Sequence, residues 1–511
     1  MTLNTLQQQA ADGLVEFATK KEHTFALLLG PAGSGKTFTI SHVIKALEPS
    51  KRTIMVACPT HKAKSVLVKS LARYGISVSA TTVSALIGKA PSTTDDPDEE
   101  GQAQWKRGGG DTLQPGSLLV VDEISMVDVA DMRAIKRAVE ASQAQAILTG
   151  DFAQLRPVKG TSIMEAVEKI PVRFKLNEVM RSGSQGIVAV SKAVRTTGQI
   201  DLDAIDNNTV FAYHSSDKFE QTFVATENAV AVAYTNKRVS ELNKMKRRAL
   251  YGDDPPDFMP KESVILTEAP FFIWARGSKT GSYSSIKAAD NNSQLIVRDA
   301  GFLSETTHPF SERKVPYYDL YLHNPETNLD FEAKGMTFDM YVNHLKPTLE
   351  DALGNIRAFA DRLTKIDKEL QKRFERGGID EAHKNRVTEA QIQKFFKPQE
   401  VDWLLKTVGK NPKYFLRSFD FTTDEGVFFP AKENWSSLRG LLWARDYFGF
   451  RQQFAVLLYE HASTAHKAQG STYKHVFVDW PNLETIRDHE DRQAASYVAV
   501  SRASDTLHIR V

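Results

Sequence analysis

Eight residues, Gly30-Pro31-Ala32-Gly33-Ser34-Gly35-Lys36-Thr37, limit what this chain can be more than any other stretch. They spell GPAGSGKT, a full match to G-x-x-x-x-G-K-[ST]. The apolar run FALLL (Phe25 to Leu29) precedes them, and a helical pattern ending near Leu47 follows. Strand, glycine-rich turn, helix is the setting in which such a string is a phosphate site. The glycines let backbone N–H groups approach oxygens that no side chain could reach so closely. Lys36 can reach the β- and γ-phosphates, Thr37 can offer its hydroxyl to Mg²⁺, and the helix N-terminus favours negative charge. The stretch predicts a nucleoside-triphosphate site.

At 511 residues the chain is too long for one core, and three or more domains are expected. Net charge is only +2, so affinity for a polyanion would have to come from a local groove, not a global basic field. A single cysteine, Cys58, excludes an internal disulfide and predicts a reducing compartment. With scattered histidines, zinc-ligand spacing is missing too. The start MTLNTLQQQ lacks a basic and apolar leader pattern, the end TLHIRV is not a lipidation signal, and no apolar run could span a bilayer. A cytosolic protein without a membrane partner is expected.

Residues 4–20 read as an amphipathic helix carrying Gln7, Gln8 and Gln9. A glutamine amide there, with donors and an acceptor, could read an adenine edge. Gln7 and Gln8 both remain candidates. TIMVACP (Thr53 to Pro59) is a buried-type strand running into Pro59, Thr60 and His61, and Thr82 opens another short helix. Hydroxyls and a histidine at strand ends suit phosphate and base contacts. Residues 88–112 are polar, rich in Gly and Asp/Glu, with one large apolar residue, Trp105. The stretch reads as a mobile surface loop or as a wedge capped by that tryptophan.

SLLVVDEISMV (Ser117 to Val127) is a buried strand that delivers Asp122 and Glu123 at its end, beside the P-loop strand. There Asp122 would hold Mg²⁺ through water and Glu123 would polarise an attacking water. AILTGDFAQLRPV (Ala146 to Val158) is a further such strand with Gln154 beyond it. LNEVMRSGSQGI places Arg181 before a new helix, and AVAVAYTNKRVSELN sets Tyr234 and Asn236 at a strand–helix junction. No second P-loop occurs, so a second α/β lobe lacks its own nucleotide cradle. From about 262 the period changes to two, which predicts a small antiparallel barrel. Leu349, Leu353, Ile356, Ala360, Leu363, Ile366 and Leu370 then recur at helical spacing, and Ile379, Val387, Ile392 and Phe395 suggest a second helix in a hairpin. The α/β pattern returns in STAHKAQGSTYKHVFVDW, with Thr464 and His466, and in YVAVSRA, with Arg502.

Taken together, GPAGSGKT, CPTHKA, TTVSAL, VVDEISM, TGDFAQLRPV, LNEVMRS, AYTNK, NNSQLIV, STAHKAQGSTY and YVAVSRA resemble the motifs of superfamily 1 helicases, most closely the Dda/RecD-like group of the B branch. The likeness covers nearly the whole chain and is weakest over 88–112 and 340–450. It implies an α/β fold of two RecA-like lobes. Lobe 1 would be 1–80 and 118–171 with a pin at 81–117. Lobe 2 would be 172–261 and 452–511, with an SH3-like barrel and helical hairpin at 262–451. It implies an ATP- and Mg²⁺-dependent translocase on single-stranded DNA that unwinds duplexes 5′ to 3′ as a monomer. Single-strand/duplex junctions would be its substrate, and a single-strand-binding or replisome protein its possible partner. By resemblance Lys36, Glu123, Gln154, Arg181 and Arg502 are catalytic. Gln7 or Gln8, Gly30, Ala32, Gly33, Ser34, Gly35 and Thr37 hold the nucleotide, and Thr37 and Asp122 the metal. Pro59, Thr60, His61, Thr82, Tyr234, Asn236, Thr464 and His466 contact DNA, and Trp105 caps the pin. Opposite polarity, an RNA substrate, or a nucleotide-gated clamp without turnover are the rival readings.

Overall fold

The computed structural model describes residues 2–92, 98, 104–108, 113–157, 162–180, 184–201, 203, 205–276, 283–375, 386–387, 397, 400, 427–428, 440 and 442–511. Runs of buried β-branched and aliphatic residues form the first sheet: β1 (Phe25–Leu29), β2 (Ile54–Cys58), β3 (Ser79–Thr82), β4 (Leu118–Val121), β5 (Gln145–Gly150) and β6 (Val172–Lys175). Every pairing in it is parallel, in the order β3-β2-β4-β5-β1-β6. Parallel sheets need cover on both faces, which explains strands that are buried throughout, such as LLVV and QAILTG. One face packs on Leu14, Ile40, Val43 and Leu71, the other on Ile135, Val139 and Ile163.

Two expectations change here. The Asp122 strand β4 does not adjoin the P-loop strand β1; β5 lies between them. Lobe 1 also extends past 171, because β6 pairs with β1 from Ala26↔Val172 to Leu29↔Lys175.

The second lobe holds β7 (Val210–Tyr213), β8 (Ala229–Ala233), β14 (Ala462–Thr464), β15 (Tyr473–Asp479) and β16 (Ala503–Arg510), in the parallel order β14-β8-β15-β16-β7. Between β8 and β14 a closed barrel is inserted, made of β9 (Ser263–Thr267), β10 (Gln294–Thr307), β11 (Lys314–Asn324), β12 (Leu329–Thr337) and β13 (Phe454–Tyr459). Strand β13 closes it, antiparallel to β9 and parallel to β12. Residues 454–459, assigned to lobe 2 from sequence, therefore belong to the barrel.

A helix Lys346–Glu375 follows β12, before the closing strand β13, and its Leu349, Leu353, Ile356 and Phe359 pack with Leu442, Trp443, Tyr447 and Phe448. Val387, expected on a second helix, lies instead in a two-residue strand paired with Val427–Phe428. Ile379, Ile392 and Phe395 lie outside the described residues. Within the 88–112 stretch, Lys89–Ser92 and Gln104–Arg107 form an antiparallel pair that sets Trp105 opposite Pro91. Lys89 anchors this hairpin through both carboxylate oxygens of Asp131, each at 3.1 Å. Among the described residues no helix is long and apolar enough to cross a membrane.

Candidate functional site: a seam between two lobes

The P-loop turns out of β1 where Gly30 N–H donates to Gly150 O (3.2 Å), and it ends at Gly35, whose φ of 84° lies in the left-handed region. A Cβ at Gly35 would stand 2.3 Å from Gln7 Nε2, so this position needs glycine for space as well as for backbone shape. The helix Lys36–Leu47 starts at once, with Thr37 on its first turn. Lys36 Nζ is held by the carbonyls of Gly30 (2.9 Å) and Pro31 (3.2 Å), which folds the ammonium over the loop. Ser34 is buried and its hydroxyl lacks a hydrogen-bond partner.

Gln7 and Gln8 part company. Asn4 and Gln7 form a capping box, Gln7 Oε1 accepting from Asn4 N–H (3.0 Å). Gln7 Nε2 donates to Ser34 O at 3.0 Å, so this buried amide braces the phosphate loop. Gln8 is exposed and donates to Asp12 on its own helix (2.8 Å). The structure does not bring Gln8 to the loop.

Asp122 accepts from Thr149 Oγ1 (2.7 Å) and from Glu123 N–H (2.9 Å). Glu123 sits at φ 53°, a strained conformation for a residue with a side chain, and its Oε2 is buried without a hydrogen bond. Burial and the neighbouring Asp122 push its carboxyl above the usual value, against the opposing pull of Lys36 and Arg502. Gln154 is buried too, with Oε1 unpartnered. Orphaned polar atoms in Ser34, Glu123 and Gln154, a lysine-bearing loop and a carboxylate at a strand end fit a nucleotide triphosphate with a hard divalent cation.

The opposite wall comes from lobe 2. Arg502 is 1% exposed, and its guanidinium donates to Val498 O (3.0 Å), Ser471 O (3.3 Å) and Ser501 Oγ (2.8 Å). Burial lowers its pKa, with Glu123 the largest opposing influence. Arg181 lies outside the described residues. A cleft of about 650 Å³ opens beside the loop, lined by Pro31, Ala32, Lys175, Glu178, Lys192 and Tyr497.

All three threonines expected at DNA are helix N-caps at the carboxyl ends of parallel strands. Thr60 accepts from Ala63 N–H (3.1 Å), Thr82 from Ala85 N–H (3.2 Å) and Thr464 from Lys467 N–H (3.3 Å). Thr235 caps the helix Asn236–Tyr251 in the same way. Each lobe thus points helix N-termini along one face, an arrangement suited to phosphates. Pro59 leads into the Thr60 cap, Tyr234 and Asn236 are exposed at theirs, and His466 is exposed on the turn after Thr464. His61 has a competitor: its Nδ1 lies 3.2 Å from Asp290 Oδ1 of the barrel. Burial alone would raise the Asp290 carboxyl, but His61 and Lys287 hold it well below its ordinary value. The side chain of Trp105 lies outside the described residues.

Sequence reading missed Asp151, Arg195 and Tyr497, which meet at the seam. Ala32 N–H donates to Tyr497 Oη (2.8 Å), Tyr497 donates to Asp151 Oδ2 (2.9 Å), and Arg195 donates to Asp151 Oδ1 (2.8 Å). Asp151 and Tyr497 stand inside quoted motifs, whereas Arg195 carries no local signal.

Comparison with known proteins shows what the chain is similar to. The AAA domain family matches residues 2–214, and the UvrD-like helicase C-terminal domain family matches residues 459–509. The chain is 23% identical to the "ATP-dependent DNA helicase dda" of Enterobacteria phage T4, over 97% of this chain and 96% of that one. It is 22% identical to "Uncharacterized protein R530" of Acanthamoeba polyphaga mimivirus, over 99% of both. Solved structures similar to it include a Pif1 helicase from Candida albicans (13% identity, 100% of this chain and 95% of that one, TM-score 0.45). A Bacteroides Pif1 bound to ssDNA is another (14% identity, 100% and 92%, TM-score 0.44). The ordered motifs, the two family matches and the end-to-end likeness to Dda agree: this chain is similar to the superfamily 1B helicases of the Dda-like group.

Proposed function

We propose that the chain is an ATP-dependent DNA helicase that translocates 5′ to 3′ on single-stranded DNA, with hydrolysis in the seam driving closure of the two lobes. The observation that carries this is the opposition of Lys36 and Glu123 on one wall to the buried Arg502 on the other, each within electrostatic reach of Glu123. Phosphoryl transfer needs charge neutralised at the γ-phosphate and an oriented water. Lys36 and Arg502 supply positive charge from different lobes, so the site is complete only when the lobes are together. Glu123, its carboxyl raised by burial, is the base that orients and deprotonates the water. Thr37 and Asp122 would hold Mg²⁺, which adds Lewis-acid neutralisation of the phosphates. Gln154 senses the γ-phosphate, and the motif LNEVMRS assigns Arg181 as a second finger.

DNA crosses the face of helix N-termini marked by Thr60, Thr82, Asn236 and Thr464. Pro59, His61, Tyr234 and His466 make up the rest of that track. Such contacts read phosphates and stack bases without regard to sequence, as a motor requires. The hairpin carrying Trp105 is the pin that splits the duplex; Trp105→Ala should slow unwinding and leave strand binding intact. The working division is lobe 1 at 1–80 and 118–175, pin at 81–117, lobe 2 at 176–261 and 460–511, and an SH3-like module at 262–459. We assign the chain to the cytosol, acting as a monomer at single-strand/duplex junctions beside a single-strand-binding or replisome protein.

ATP hydrolysis measured with and without single-stranded DNA tests this reading. Wild type should be strongly stimulated and Lys36→Ala inactive. Equal rates with and without DNA would refute it.

A further inference from the structure

The helix His489–Val500 does more than lead to Arg502. Tyr497, 1% exposed, sends its phenol across the seam into lobe 1. The hydroxyl meets two lobe 1 groups at once, Ala32 N–H of the phosphate loop at 2.8 Å and Asp151 Oδ2 at 2.9 Å. Chemistry fixes the direction of both bonds. A backbone N–H can only donate and a carboxylate only accept, so the phenol accepts from Ala32 and donates to Asp151. Asp151 is 1% exposed and also takes Arg195 of lobe 2 (2.8 Å) and Ala153 N–H (3.2 Å). Its own carbonyl accepts Gln154 N–H at 3.0 Å, so the aspartate also anchors the turn that presents Gln154.

On the lobe 2 side, Tyr497 O accepts Ser501 N–H (3.0 Å), and Arg502 Nε donates to Val498 O (3.0 Å). Phenol and guanidinium therefore belong to one hydrogen-bonded unit. A single hydroxyl ties together the phosphate loop, the Gln154 turn and the Arg502 segment. Packing alone does not account for this, because a phenylalanine would fill the same space while leaving a buried N–H and a buried carboxylate oxygen short of a partner.

We propose that Tyr497 is a positioning residue for ATP hydrolysis: its hydroxyl clamps lobe 1 to the lobe 2 helix that leads into Arg502, setting Arg502 and Gln154 against the phosphate loop in the closed seam. This rests on the helicase reading above. Tyr497 transfers no proton and touches no phosphate; it acts through Arg502 and Gln154. Burial and Asp151 raise its pKa above the ordinary phenol value, which keeps the donated proton in place. Opening the lobes breaks both phenol bonds together, so the clamp holds only in the state that hydrolyses.

The test is steady-state ATP hydrolysis by the full chain on saturating single-stranded DNA, comparing wild type with Tyr497→Phe, Asp151→Asn and the double variant. Tyr497→Phe should lower kcat by about ten- to hundredfold with KM for ATP changed less than about threefold. The double variant should be no slower than the slower single, because the residues act as one unit. Arg195→Gln, which removes the guanidinium from Asp151 Oδ1 and from above the Tyr497 ring, should lower kcat in the same direction and serves if Tyr497→Phe does not fold. A Tyr497→Phe kcat within twofold of wild type, or losses that multiply in the double variant, would overturn the clamp. A wild type without DNA-stimulated hydrolysis would instead sink the helicase reading, and the clamp with it.

Discussion

Lys62 Nζ donates to the carbonyl oxygen of Lys467, 2.7 Å away and on the other lobe. The bond joins CPTHKA to STAHKAQG, the two segments whose caps we assign to the proposed DNA track. Burial first, then Arg502 and Lys467, bring the Lys62 pKa down to about 8. Lys467 is itself committed, donating to Thr267 Oγ1 at 2.9 Å. On the proposed function, positive charge gathered where the two segments meet is what would let a chain of net charge +2 hold a polyanion.

Lys62 is charged below about pH 8 and neutral above it. Affinity for a single-stranded oligonucleotide, measured by fluorescence anisotropy at fixed ionic strength, should therefore fall as pH rises through that value. Lys62→Met should bind more weakly and lose the pH dependence in this window. Unchanged wild-type affinity across it would remove Lys62 from the binding face.

The seam predicts two distinct kinetic losses. Glu123→Gln should reduce kcat by roughly 10²–10⁴ while nucleotide still binds, because the neutral amide relieves a carboxylate that burial disfavours. Arg502→Ala should cost roughly 10³–10⁵ in kcat. Nucleotide binding by equilibrium titration separates both from misfolding. A Glu123→Gln variant that hydrolyses ATP at the wild-type rate would show that another group orients the water.

Arg247 and Glu262 join the helix Asn236–Tyr251 to the entrance of the barrel, 4% and 3% exposed, with Arg247 Nε 2.6 Å from Oε1 and Nη2 3.1 Å from Oε2. The guanidinium also lies 4.1 Å from the Tyr459 ring centroid. Glu262→Leu alone strands a buried cation and should destabilise the chain by about 3–5 kcal/mol. Adding Arg247→Met should recover much of that loss. Denaturant melts of the two variants decide the point: a double variant less stable than Glu262→Leu would mean the pair holds the module by more than charge balance.

Acid should loosen the helical module first at His308. Its Nε2 lies 2.6 Å from Asp446 O and its Nδ1 accepts Phe310 N–H at 3.0 Å, which requires the neutral ring. Burial pushes its pKa down to about 4 from 6.5. Because the folded pKa lies below the unfolded one, the unfolded chain binds the extra proton in this interval. Stability is therefore full above about pH 6.5 and falls as pH drops toward about 4. His461 and His508, lowered to about 4 for the same reason, act in the same direction. Thermal midpoints that stay level over that range would contradict the buried neutral state.

Much of this was legible in the chain because motif chemistry is local. GPAGSGKT, VVDEIS and YVAVSRA each lie within one short stretch of chain, so Lys36, Glu123 and Arg502 could be named as candidates before any long-range pairing was known. The choice between Gln7 and Gln8 was also written locally, in the Asn4-x-x-Gln7 capping box, a signal the triple glutamine obscured. What depends on distant pairing was not readable. Placing β5 between β1 and β4 follows from crossover connections, and β6, with alternating half-exposed residues, looked like the start of a new lobe. The barrel closes on a strand that arrives after the helical insertion. The Tyr497–Asp151 bond spans 346 positions, and neither residue type signals it.

The most direct measurement is ATP-driven strand separation on duplexes carrying a single-stranded tail at either the 5′ or the 3′ end, with Lys36→Ala in parallel. Lobes pulled together by fuel in the seam should displace the strand from the 5′-tailed duplex and leave the 3′-tailed one paired, with no displacement by Lys36→Ala. Separation confined to the 3′-tailed substrate, or proceeding equally with Lys36→Ala, would contradict the account.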